Sequence, residues 1–213
     1  VAGKPGGWAA ERHPDFASAM DALTGCAAVL VDMPIGFASG PPGRAVEKVA
    51  RKAIGPRRSS VFEPPLRPAL AAATQDEATR LNRAAGGGGI SAQCFHIIRR
   101  MREIDGWITP ERQARVMEGH PEFAFRTLAG RVLAHPKRKA EGRAERASLL
   151  TWAGFDLAAL EAARRALGGI APDDLLDACV LAHAAWRVAN GVAERIPAVP
   201  GTDARGLRME MWA

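Results

Sequence analysis

The chain has 213 residues, 47% of them hydrophobic, which is enough for one buried core without a second domain. Its 29 Lys and Arg against 23 Asp and Glu leave a formal charge of +6, a balance that favours anionic partners. No apolar run approaches the roughly 20 residues that span a bilayer, no apolar leader is visible, and Cys26, Cys94 and Cys179 form no C-x-x-C pair. A membrane span, a disulfide framework and a structural zinc site are therefore set aside, and a cytoplasmic protein is expected. Tyrosine is absent and aromatics are 6%, so stacked single-strand bases would find few platforms, and a duplex or phosphate partner fits better.

In chain order, Phe16–Leu23 reads as a short amphipathic helix. The β-branched run from Ala27 to Asp32 reads as a buried strand ending at a carboxylate before a Pro34 and Gly36 turn. Residues 40–110 read as a helical insertion, with helices at Arg44–Ala53 and Pro68–Arg83 between turn-rich stretches. Apolar residues at 94, 97, 98, 101 and 104 predict a helix over Ile90–Trp107. Arg115–Glu118 is taken as a second strand, followed by a basic loop at His135–Lys139 and helices over Glu145–Leu150 and Leu157–Leu167. A final helix runs from Pro172, well placed in a first turn, to about Gly191. The tail alternates Leu207, Met209 and Met211 with polar neighbours, as an edge strand does.

Asp177 is the most informative residue, because on a helix it shares a face with Leu181, Ala184 and Val188. A carboxylate there must be paired with a cation, protonated, or set at the lip of a site; a salt bridge to an arginine is the plain alternative. Asp174 lies one turn earlier and reaches the same neighbourhood, or else serves with Asp173 to complement the helix dipole. Asp32 and Glu118 each close a short strand, where ligands sit in open α/β sheets, although a turn role is equally open for both. Three such carboxylates are the donors a hard cation, Mg²⁺ or Mn²⁺, selects. The basic group Lys137, Lys139, Arg143 and Arg146 is either a solvated surface or a set of phosphate contacts. Gly86–Gly89 lacks the following Gly-Lys-Ser/Thr of a P-loop, no G-x-S-x-G surrounds Ser59, Ser60 or Ser91, and the five histidines show no zinc spacing.

The motif set resembles the bacterial and archaeal domain of unknown function family 429, predicted nucleases with a ribonuclease H-like fold. It is carried by Gly6-Gly7-Trp8, Asp32-Met-Pro-Ile-Gly36, Arg44 with Glu47 and Arg51, and Ser59-Ser60-Val-Phe62. It continues through Gly89-Ile-Ser-Ala-Gln93, Glu118-Gly-His-Pro-Glu122, Lys137 with Gly142, Arg143 and Arg146, and Asp174-Leu-Leu-Asp-Ala178. The resemblance implies one α/β domain over 1–213, a mixed central sheet flanked by helices with the insertion at about 40–110. It also implies metal ligation by Asp32, Glu118, Asp177 and Asp174, with Arg44, Arg51, Ser60, Gln93, His120 and Glu122 as further motif positions. The family's first-strand aspartate has Ala2 in its place, and too few residues follow Trp8 for the expected hairpin. The expectation is that residues near the start are missing and that the full protein carries this acid.

The leading functional expectation is a metal-dependent nuclease acting on DNA or RNA, with Lys137, Lys139, Arg143 and Arg146 on the backbone. An inactive nucleic-acid-binding protein of the same fold is the second, and a small-molecule phosphotransferase the third.

Overall fold

In the computed structural model, which describes residues 1–213, eight α-helices surround two small sheets. The apolar run beginning at Ala27 supplies β1 (Val29–Val31), which pairs in parallel with β2 (Val116–Glu118) in the register Val29↔Val116 and Val31↔Glu118. Parallel pairing requires a crossover, and α1 (Phe16–Ala22) precedes it. The crossover comprises α2 (Val46–Ile54), 3-10 turns at Gly55–Ser60 and Arg67–Ala71, α3 (Gln75–Ala84) and α4 (Ala92–Trp107). The helix expected over 68–83 is broken because Thr74 caps α3, its hydroxyl accepting from Glu77 N while the Glu77 carboxylate accepts from Ala73 N.

The insertion is divided among three cores, Ile104 and Ile108 joining the one around Met20 and Val29. Val46, Ala50 and Ile54 of α2 join the main cluster with Phe123 and Phe125, whereas Ile98 and Met101 of α4 close a separate one around Phe37 and Leu70. After β2 come α5 (Pro121–Ala129), α6 (Ala140–Trp152), α7 (Leu157–Leu167) and α8 (Pro172–Ala189), then the antiparallel pair β3 (Arg195–Thr202) and β4 (Arg208–Trp212). Helix α8 starts on Pro172 as expected, and α6 is longer than the predicted segment at both ends.

The two sheets touch through a single parallel bridge, Gly119↔Trp212, so the strands lie in the order β1, β2, β4, β3 without forming the continuous mixed sheet that was expected. Two features account for this. A Cβ at Gly119 would lie 2.7 Å from Leu181 Cδ2 and 2.9 Å from Leu30 Cδ2, so side chains of α8 and β1 pack directly onto the junction. The β3 strand carries Pro197 and Pro200, which cannot donate to a ladder, and its register is irregular between Ile196 and Gly201. Hence β3 is the edge, and β4, expected there, lies inside with Met209, Glu210 and Met211 buried.

Near the start, Ala2 and Ala9 bridge antiparallel, and Trp8 stacks on Phe155 with ring centroids 4.5 Å apart. No helix is long and apolar enough to cross a membrane.

Candidate functional site: a carboxylate groove beside the first strand

In the β1–β2 register, Val29 N donates to Arg115 O and Val31 O accepts from Gly119 N, both at 2.9 Å. Alternation therefore turns the backbone groups of Leu30 away from β2. On that free side opens a groove of about 800 Å³ between β1, α1 and α8, lined largely by apolar side chains. One end is acidic: Asp32, Asp174 and Asp177 all line it, and so does Ala2.

Asp32 follows β1 and leads into a turn held from several sides. Gly36 has φ +79°, and a Cβ there would meet Leu207 O at 3.2 Å. Phe37 N donates to Asp203, Ile35 N donates to Glu118 at 2.8 Å, and Arg44 donates to Gly36 O at 3.1 Å. Asp32 is exposed where the groove and the small cleft approach each other. Loss of hydration, then the repulsion of Asp177, push its carboxyl up to about 7; Lys137 opposes the rise and Asp174 adds a smaller push.

Asp177, on the first turns of α8, accepts from Lys137 Nζ at 2.8 Å. Burial raises its pKa, and Lys137 opposes that rise. The partner is thus a lysine, where an arginine was the expected alternative. Lys137 is held in place by neighbouring segments. Gly142 has no room for a Cβ, which would sit 2.1 Å from Pro136 O, so α6 begins in direct contact with the loop. Buried Arg146 donates to His135 O at 3.1 Å and to Gly142 O at 2.8 Å, and pairs with buried Glu122 at 2.6 Å. Arg146 and Glu122 accordingly act on the loop from inside the protein; Arg143 bonds Arg138 O on the surface, and Lys139 is exposed.

Glu118 is buried and already satisfied: it accepts from Ile35 N and pairs with Arg44 at 2.5 Å. Burial raises its pKa and Arg44 opposes the rise. Arg44 Nε also lies 3.0 Å from Glu47 Oε1, close enough for an ion pair but misaligned for a hydrogen bond. Desolvation takes the Glu47 carboxyl up to about 7 in spite of Arg44. Asp32, Glu47, Glu118 and His120 border a cleft of about 20 Å³, the room of a single water. His120 Nε2 faces Ser60 O at 3.3 Å, and burial lowers its pKa. Arg51 supports the turn beyond through Val61 O, Ser60 Oγ donates to Arg57 O, and Gln93 is exposed on the first turn of α4, lining neither cavity.

The structure thus gathers Asp32, Asp174 and Asp177 on one groove, while Glu118 reaches Asp32 only from the far side, through the small cleft. No three acidic, histidine or cysteine side chains converge as a ready-made cation cage. Crowded carboxylates with a raised pKa nevertheless suit a divalent cation, whose charge relieves their repulsion. Sequence reasoning named Glu47 only as a motif position and missed its place at the cleft; its i, i+3 spacing from Arg44, just before α2, was the available signal.

These features define an α/β protein with carboxylates gathered at a strand end and on its last helix. The chain belongs to the family described as Protein of unknown function (DUF429), whose sequence pattern matches residues 1–202. No curated protein and no solved structure matches it.

Proposed function

We propose that this chain is a divalent-metal-dependent nuclease of ribonuclease H-like architecture that hydrolyses phosphodiester bonds of nucleic acid. The observation that carries the reading is the groove that Asp32, Asp174 and Asp177 all line, with a single lysine, Lys137, paired to Asp177. A bound Mg²⁺ or Mn²⁺ would supply the Lewis acidity that orients a water and steadies the leaving oxygen. Asp32, Asp174 and Asp177 would hold the ion. Glu118, engaged by Arg44 and Ile35, fixes the position of the strand end that carries Asp32. Lys137 neutralises Asp177 and would turn outward, towards a phosphate, once a cation takes over that task.

A second reading, a nucleic-acid-binding protein without catalysis, is favoured by Ala2, which lines the same groove where an acid is expected from the resemblance. Melting with and without Mn²⁺, alongside cleavage of a panel of DNA and RNA substrates, separates the two. Under the nuclease reading Mn²⁺ raises the melting temperature of the native chain, and Asp177→Asn loses most of that gain together with all cleavage. The variant itself should lose only about 1 kcal/mol, because the lysine it strands is partly hydrated. A native chain that neither gains stability from Mn²⁺ nor cleaves, while Ala2→Asp does both, establishes the second reading.

A further inference from the structure

Of the basic segment singled out in the sequence, Lys137 is paired with Asp177 and Arg146 with Glu122, which leaves Lys139 and Arg143 on the surface. A different face carries unpaired positive charge. Helix α2 and the 3-10 turn after it place Lys48, Lys52 and Arg58 on a groove of about 790 Å³ that has hardly any apolar lining. All three are exposed, and no side-chain partner engages them. Arg51 lies on the same wall and is tied to Glu63, an exposed carboxylate, at 3.5 Å.

We propose that this α2 face is the surface along which the chain holds the phosphodiester backbone of a nucleic acid. Three observations favour an extended polyanion over a small one. The cations are distributed along a wall: Lys48 and Lys52 are one helical turn apart, about 6 Å along the axis, a step that suits successive phosphates, and Arg58 extends the row past the helix end. The groove is open and polar, without the enclosed apolar lining of a small-molecule pocket. Glu47, buried in the wall between them, also borders both the basic groove and the small cleft at Asp32 and Glu118, so the two lie side by side. The proposal names the binding surface that the nuclease reading requires and therefore rests on it, yet it is tested without metal.

Binding of the full chain to labelled single-stranded and duplex oligonucleotides is measured in EDTA across a salt series, so that no cleavage enters. The triple variant Lys48→Gln, Lys52→Gln, Arg58→Gln should bind about tenfold more weakly, with the slope of log affinity against log salt shallower by about 2 on single strands. Lys139→Gln with Arg143→Gln should leave that slope unchanged. Melting temperatures verify that both variants fold, as substitution of exposed, unpaired side chains permits. An unaltered slope in the triple variant overturns the proposal, as does a native chain that ignores oligonucleotides at low salt or prefers phosphatidylglycerol vesicles to them. Binding that behaves as expected in a chain without Mn²⁺ response would leave this surface standing and remove the nuclease reading alone.

Discussion

Asp32 and Glu47 both hold a proton up to about pH 7, Asp32 through loss of hydration with Asp177 adding repulsion, and Glu47 because α2 buries it beside an arginine already committed to Glu118. In the unfolded chain these carboxyls release their protons near pH 4. Between the two values the folded form binds more protons, so their contribution to stability is fully present at the acid end and is lost as pH rises through about 7. Asp32→Asn should flatten that descent: melts from pH 5 to pH 8 should show the variant gaining on the native chain as the pH rises, and a constant difference would refute the shift. The stabilisation of the native chain by Mn²⁺ should grow over the same interval, since the cation competes with the proton for Asp32. At this scale much was legible in the sequence. Asp177 was exposed as unusual by the apolar face it shares, and Asp32 by the strand before it. The pairing of Lys137 with Asp177 and of Arg44 with Glu118 was not, because each joins residues across a long stretch of chain, and pairing of that kind leaves no local periodicity.

Among the elements, the first turn of α6 governs the loop that carries Lys137. The Arg146–Glu122 pair is buried on both sides, so Arg146→Met would strand a carboxylate and release two carbonyls, a loss of about 3–5 kcal/mol. Replacing both partners, Arg146→Met with Glu122→Met, should recover much of that loss, as chemical denaturation of the four chains in a double-mutant cycle would measure. Additive losses would mean that the pair does not act as a unit. The long amphipathic helices α4 and α8 announced themselves by spacing and by Pro172. β3 did not, because its two prolines and irregular register remove the alternation by which strands are recognised. The insertion was visible as helical, but α2's membership of the main core depends on contacts with α5 that no single segment reveals.

At the level of the whole molecule, β1 and β2 are strand neighbours in space and distant in sequence, with α2, α3 and α4 between them, and α8 covers the join only after most of the chain has followed. That order matters for the newly made protein. The run Ala27–Val31 leaves the ribosome long before Val116–Glu118 exists to pair with it, and its opposite edge stays free even at the end. Synthesis therefore passes through a period in which an apolar strand has both edges open, and such strands associate with one another. Refolding from urea should be slow for a chain so rich in helix, since the central pairing closes a long loop, and its yield should fall as protein concentration rises. Refolding at a series of concentrations checks this, and a fast, concentration-independent recovery would mean that β1 is sheltered before its partner arrives. In a cell, that interval makes the first strand a natural client for chaperones that grip extended apolar segments.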